Sequence, residues 1–500
     1  MSETGLDRTD LVRRLPTPES EGVVYDPSFE RLREFSSHLE TTTEYGSPSY
    51  VSEYRSRCAD RTKNAVDDEF TQADWDAVDE AVAAAGEREM VCLDRMVGRH
   101  PEVAQCCRLY VPKEYGRIAL AWGKLLEPAP EDREPDLYTV QLPDRDEVAI
   151  RVLPEEGLTV VLGSDYTGEA KKSFLRLYMR RAKERGGLGL HAGSKRVVLQ
   201  DDDEMETVGQ LFLGLSGTGK STLTGHGFWL DDPEYAEMLQ DDVCALLPDG
   251  TVAGSEGGGL YIKTMGLDAD EQPALHHAAT QSSAVLENVA VDEDGTVDFD
   301  DGELTTNGRA VVRREDLPSA ADGIDLPDVD QVFFITRNPL MAPVSRLTDA
   351  QAAAAFMLGE SVQTSAGDPE KAGERIRVVG TNPFIVGPEG EEGNRFRELI
   401  RENDVECYLL NTGTVGDRDV GVEETVGILE AIARDQVEWD HDEAVGLDLP
   451  TDVPGVDISA FHPAENVTDY DEKVHELRVE RRAYLSRFDA LDEEIRDAAY

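Results

Sequence analysis

Lysine is scarce in this chain: 11 of 500 residues, against 38 arginines, while aspartate and glutamate together number 103. The formal charge of −54 is spread along the chain and not gathered in one tail. Such a surface repels a phosphate backbone, so nucleic acid is excluded as an expected partner. Dispersed acid with little lysine is the pattern of a halophilic protein working in molar salt, where the Debye length falls to about 3 Å and like charges stop repelling strongly. The other source of such charge is an acidic interaction surface, but no long acidic block stands apart from the folded pattern.

Cysteine is sparse too. Six residues, at 58, 92, 106, 107, 244 and 407, form no C-x-x-C pair, which excludes a zinc ribbon or a disulfide framework and leaves reduced core thiols. No run reaches the ~18 uninterrupted apolar residues of a membrane span, so no membrane association is expected. The opening "MSETGLDRTDLVRRL" lacks an apolar segment of the secretory type, and a cytoplasmic protein is expected. With 40% hydrophobic residues, the chain has ample material for two to four buried cores. The sequence does not set an oligomeric state; a monomer is the working expectation.

Apolar residues recur at helical spacing over 74–100, "DWDAVDEAVAAAGEREMVCLDRMVGRH". Strand-like runs follow at 108–112, 138–142, 147–153 and 158–163, separated by Pro- and Asp-rich turns. Acidic "LQDDDEMETVG" (199–209) reads as a seam, after which β-like "QVFFITR" (331–337), "RIRVVG" (375–380) and "VECYLLNTG" (405–413) alternate with helical segments. From about 464 the chain is charged and helical, with an apolar periodicity suited to packing on a domain. The expected class is α/β, with an N-terminal α/β substrate-side domain over 1–200 and a nucleotide-binding α/β domain over 201–500 that ends in a helical tail.

One stretch carries chemistry by itself. "QLFLGLSGTGKSTLTG" (210–225) fits G-x-x-x-x-G-K-[ST] after an apolar strand and before a possible helix. Residues Gly214, Leu215, Ser216, Gly217, Thr218, Gly219, Lys220, Ser221 and Thr222 are the expected nucleotide contacts. The glycines turn backbone N–H groups toward phosphate, Lys220 supplies a point charge to the β and γ phosphates, and Ser221 can hold the accompanying Mg2+. A glycine-rich surface turn is the bland alternative.

Residues 171–196, "KKSFLRLYMRRAKERGGLGLHAGSKR", hold nine Lys or Arg and one acid, a local inversion that marks a site for anions. Arg180, Arg181 and Lys183 read instead as a solvated face balancing acidic neighbours. "VLGSDYTGEAKKS" (161–173) and "RGGLGLHAGSKR" (185–196), followed by the phosphate loop, resemble in order and spacing the motifs of the ATP-dependent phosphoenolpyruvate carboxykinases. "LQDDVCALLPDG" (239–250), "EGGGLYIKT" (256–264), "MAPVSRLT" (341–348) and "YLLNTGTVG" (408–416) are similar to later motifs of that family, so the likeness spans about 160 to 430.

The resemblance implies a phosphoenolpyruvate carboxykinase-like fold. It also implies conversion of oxaloacetate and ATP to phosphoenolpyruvate, CO2 and ADP, a lyase step of gluconeogenesis. It implies a Mn2+ site of Lys172, His191 and Asp242, with Asp241 behind it and Ser221 on the nucleotide Mg2+. A ligating Lys172 has to be neutral, and the cation with neighbouring Lys171 would depress its pKa. Lys220 and Lys263 would neutralise phosphate, and Arg346 would bridge the γ-phosphate and the reacting enolate. Tyr166, Lys172, Arg346 and an N-terminal arginine would bind substrate. Arg57 in "EYRSRCADRTKN" (53–64) fits that arginine best, with Arg55 its rival.

The chain departs from the family in places. Val243 and Cys244 stand where a histidine usually follows the paired aspartates, and the adenine side is only partly matched by Arg418, Val420 and Thr425. A phosphotransferase on the same scaffold acting on another acceptor, small molecule or protein hydroxyl, is the alternative, and a non-catalytic ATP sensor is a third reading. The sensor would not need all three metal ligands, and a protein kinase would have little use for them.

Overall fold

A computed structural model describes residues 11–201, 204–215, 218–228, 230–270, 272–362 and 375–500. The chain forms two compact units, Met1–Tyr178 with Ser255–Pro318, and Met179–Gly254 with Ser319–Tyr500. It therefore passes between units three times, where a seam at 199–209 implies one passage. That acidic stretch lies in an antiparallel hairpin of the second unit, Ala192–Asp201 paired with Glu204–Leu213.

In the first unit a mixed sheet runs in the order Val23–Tyr25, Met90–Val97, Gln105–Pro112, Leu137–Leu142, Leu158–Leu162, Ala149–Leu153 and Thr62–Asn64. Helix Gln72–Glu87 starts at a capping box in which Thr71 and Asp74 satisfy each other's backbone N–H groups. It lays Val78, Ala81, Val82 and Ala85 against Val140, Leu158 and Val160. The helical spacing read over 74–100 holds only to Glu87. Arg88 is extended, and Met90–Val97 is a strand paired with Gln105–Pro112, because a nearly continuous buried run suits a central strand as well as a helix. The strands expected at 108–112, 138–142, 147–153 and 158–163 are present. A second sheet joins Gly259–Lys263, Arg309–Arg313, Val285–Glu287, Pro48–Tyr50 and Glu40–Thr42.

The second unit is built on eight strands in the order Tyr235–Gln240, Ala192–Asp201, Glu204–Leu213, Gln331–Thr336, Glu406–Asn411, Val344–Leu347, Leu447–Asp452 and Glu438–Asp442. Its centre is parallel and covered on both faces, which is why its strands read as unbroken apolar runs. Leu211, Leu213, Val332, Phe334 and Leu409 enter one core, with helices Asp349–Leu358 and Glu389–Glu402. Phe212, Phe333, Ile335, Tyr408 and Leu410 enter the other, with helix Val422–Ala433. On that second face Phe212, Phe333, Tyr408 and Trp439 stack in series, with ring centres 5.2, 5.3 and 5.7 Å apart. The charged C-terminal segment packs on the first core through Val474, Leu477, Leu485 and Ile495, as its periodicity implies.

All six cysteines are buried and free. Among the described residues no helix is long and apolar enough to cross a membrane.

Candidate active site

Strand register decides which groups meet at one end of the second unit's sheet. Leu213, the last residue of the phosphate-loop strand, pairs with Ala192 on one side and Phe334 on the other, and Ser194 pairs with Gln240. His191, the phosphate loop and the Asp241–Asp242 pair therefore all leave the sheet at the same end. This is the end where strands of an open parallel sheet present ligand-binding loops.

The loop itself folds tightly. Gly214 has no room for a side chain: a Cβ there would lie 2.5 Å from the Thr218 hydroxyl and 3.1 Å from Ile335 Cβ. Thr218 Oγ1 donates to the Leu215 carbonyl at 2.8 Å. Gly219 precedes the helix with φ of +95°, a left-handed conformation that glycine adopts without strain. Helix Lys220–Gly225 follows, with Lys220, Ser221 and Thr222 partly exposed and Leu223 and Thr224 buried. Ser216 and Gly217 lie outside the described residues. The Thr412 hydroxyl donates to the Thr218 carbonyl at 2.8 Å, tying the "NTG" turn to the loop.

His191 Nδ1 lies 2.6 Å from the Thr381 carbonyl oxygen, and its Nε2 lies 3.0 Å from Asp242 Oδ1. A carbonyl only accepts, so Nδ1 carries the hydrogen. The facing Nε2 and carboxylate then need a positive charge between them, either a second proton on the ring or a metal ion. Next door, Asp241 Oδ1 is buried with no donor among the described residues. Imidazole and carboxylate with an orphaned carboxylate oxygen are a donor set that fits a divalent cation. No group of three His, Cys, Asp or Glu side chains able to hold a metal occurs among the described residues. Burial pushes the Cys244 thiol up to about 12, with Asp242 adding and Lys220 opposing, which puts both charges within electrostatic reach of one buried sulfur.

Three further residues carried over by resemblance lie in this unit. Arg346 is on strand Val344–Leu347, three places from the loop strand, or about 14 Å at the usual strand spacing. Its guanidinium donates to Asp448 Oδ2 at 3.1 Å and lies over Trp439. Thr425 is buried and its hydroxyl turns back to the Gly421 carbonyl at 2.8 Å. Arg418 lies over Phe461, 4.6 Å from the ring centre, beside the buried Val420.

Helix Thr167–Glu184 begins in the first unit directly after Tyr166, and its part there carries both lysines. Tyr166 is buried, its ring 6.4 Å from that of Tyr261, and its hydroxyl accepts from Asn307 Nδ2 at 3.3 Å. Lys171 is buried and paired with Glu256 at 3.0 Å, so its charge is locally balanced; Lys172 is half-buried. Lys263 ends its strand opposite Arg309, and burial together with that arginine lowers its pKa to about 8.

The two candidate N-terminal arginines differ. Arg55 donates to Asn288 Oδ1 at 2.9 Å. Arg57 adjoins Glu169, whose carboxyl burial pushes up while Arg57 and Arg176 oppose. Glu169 also accepts the Cys58 N–H at 2.6 Å, fixing the backbone beside Arg57. Glu169 and Arg176 lie in the stretches 161–173 and 171–196, but nothing in their spacing singles them out from the other charged residues there. Of the basic residues assigned to a solvated face, Arg180 and Arg181 pair with Glu184, and Lys183 pairs with Glu392.

A phosphate loop at the end of a doubly covered parallel sheet, beside a histidine–carboxylate pair, defines a nucleotide-dependent phosphotransfer scaffold. The chain belongs to the phosphoenolpyruvate carboxykinase family, whose ATP-type model matches residues 50–459. It is 37% identical over 486 residues to the phosphoenolpyruvate carboxykinase (ATP) of Aeropyrum pernix, covering 95% of this chain and 97% of that protein. It is 30% identical over 383 residues to the phosphoenolpyruvate carboxykinase (ATP) of Brucella anthropi, covering 73% and 68%. The family likeness thus reaches well beyond the motifs at 160 to 430.

Proposed function

We propose that this chain converts oxaloacetate and ATP to phosphoenolpyruvate, CO2 and ADP, a lyase reaction of gluconeogenesis, in the cytoplasm. The observation that carries the site reading is the shared sheet end: His191, Asp242 and the Gly214–Ser221 loop leave neighbouring strands together. Family membership supports oxaloacetate as the acceptor's source over another hydroxyl.

In the reaction the bond from C3 of oxaloacetate to its terminal carboxylate breaks, and CO2 departs. The electron pair moves to the carbonyl oxygen, giving the enolate of pyruvate. That oxygen attacks the γ-phosphorus, and the bond to ADP breaks. Lys220 holds the β and γ phosphates in line, and Lys263 neutralises phosphate charge. Arg57 orients the substrate carboxylate with Tyr166 beside it. Lys172, His191 and Asp242 would hold Mn2+, and Ser221 a nucleotide-bound Mg2+; such cations supply positive charge to substrate and phosphate oxygens. Because family resemblance gives Arg346 the bridging role, its pairing with Asp448 has to open for it to take part.

A coupled assay with oxaloacetate and ATP, run with Mn2+ and with chelator, is the test. Release of CO2 together with phosphoenolpyruvate, dependent on both ATP and metal, is the expected result. Oxaloacetate consumed without phosphoenolpyruvate formed would overturn the reading.

A further inference from the structure

We propose that Arg337 binds the polyphosphate chain of the nucleotide, an inference that rests on the reading of the 214–221 loop as the ATP site. Strand Gln331–Thr336 runs parallel between the phosphate-loop strand and Glu406–Asn411, and Arg337 is the first residue beyond it. It emerges at the sheet end that carries the loop. Thr412 clamps this place: its N–H donates to the Thr336 carbonyl at 3.0 Å and its hydroxyl to the Thr218 carbonyl at 2.8 Å. Gly413 then packs so closely that a Cβ on it would lie 3.0 Å from Arg337 Cβ. The backbone of Arg337 is thereby fixed between the phosphate loop's neighbour and the "NTG" turn.

Its charge is the second observation. In a chain with 103 acids and 49 basic residues, arginines of this unit find carboxylates: Arg346 has Asp448, Arg434 has Glu234 and Arg481 has Glu360. Arg337 makes no hydrogen bond or ion pair among the described residues, and its Nε is buried without an acceptor. Burial lowers its pKa, so the cation is held without local compensation. A buried N–H with no acceptor is costly unless a ligand supplies one. A guanidinium fork matches two oxygens of a phosphate, and the polyphosphate chain is the anion this sheet end is built to receive.

Equilibrium binding of ATP, ADP and AMP to the full chain, with Arg337→Met, Arg337→Lys and Lys220→Ala, tests this. Arg337→Met is expected to weaken ATP binding by about 10- to 100-fold, the loss of one charge-assisted contact. Arg337→Lys should recover part of it, AMP affinity should stay within about twofold, and the KM for oxaloacetate should hold likewise. The melting temperature of Arg337→Met should not fall. ATP affinity equal to wild type in Arg337→Met, with Lys220→Ala impaired, overturns this inference alone. A silent Lys220→Ala overturns the loop reading and this inference with it. A KM shift confined to oxaloacetate would assign Arg337 to the other substrate and overturn the proposal.

Discussion

The ammonium nitrogen of Lys195 lies 2.7 Å from the carbonyl oxygen of Leu223 and 3.7 Å from the centre of the Phe228 ring. Lys195 is fully buried, and no carboxylate pairs with it among the described residues. The lysine thus caps the C-terminal end of the short helix that begins with Lys220, and burial drives its pKa well below the ordinary value.

Lys195→Met should therefore raise stability while loosening nucleotide binding. Removing a buried amine is worth roughly 1–3 kcal/mol, and the Leu223 carbonyl keeps its weaker contact with the His226 N–H. The pH dependence has a definite sign. With its folded pKa depressed, Lys195 binds fewer protons in the folded state, so it makes stability rise with pH up to about 10.5, by at most ~1.4 kcal/mol per pH unit. Denaturant melts of both proteins across pH 7 to 10 would show a smaller slope in the variant. A lower melting temperature with unchanged ATP affinity would make Lys195 a purely structural cap.

Asp242→Asn and Lys220→Ala should each lower turnover by several orders of magnitude while circular dichroism stays native. Asp242 balances the imidazole at 3.0 Å, and Lys220 is the cation of the phosphate loop. Both changes remove charge stabilisation at the reacting phosphate. Near wild-type rates in either folded variant would remove that residue from the site.

Much of this site was legible because strand–loop–helix motifs announce themselves locally. The apolar runs Leu211–Leu213 and Val332–Ile335 read as strands and form them, and the glycines at 214 and 219 occupy positions where only a small residue or a left-handed turn fits. What sequence could not give was strand order. Arg337 ends a run that was recognised as a strand, yet its placement beside the phosphate loop depends on pairing between residues more than a hundred positions apart. Arg346 was legible by its motif, but not the Asp448 that it pairs with from the neighbouring strand. Lys195 was hidden because alternation in a strand does not say which side chain meets a helix end.

Lys263 predicts an alkaline limb. Its pKa of about 8, set by burial and Arg309, means that the free enzyme loses this positive charge as pH rises from 7 to 9. kcat/KM for ATP should then fall above about pH 8, because that ratio reports the free enzyme. Lys263→Arg should keep the charge and remove the limb. An identical pH profile in both proteins would detach Lys263 from phosphate binding.

Salt should matter globally. With a formal charge of −54, self-repulsion acts over about 10 Å at 0.1 M salt and about 3 Å at 1 M. Activity and far-UV ellipticity should decline in dilute buffer and return in molar KCl. Full stability in dilute buffer would sink the halophilic reading and leave the catalytic one untouched.

Arg57 and Arg55 separate through their partners. Arg55 donates to Asn288, whereas Arg57 and Arg176 both act on the buried carboxylate of Glu169. A guanidinium at this place suits a carboxylate substrate, and the Cys58 N–H bond to Glu169 fixes the backbone next to Arg57. Arg57→Lys should therefore lower kcat/KM for oxaloacetate by about one to two decades, as loss of a charge-assisted contact of ~1.5–3 kcal/mol implies, with ATP affinity unchanged. Glu169→Gln removes the shared counter-charge and should perturb the same parameter without touching ATP. If Arg55→Lys gives the oxaloacetate defect and Arg57→Lys is silent, the substrate arginine is Arg55, and the Asn288 contact is what orients it.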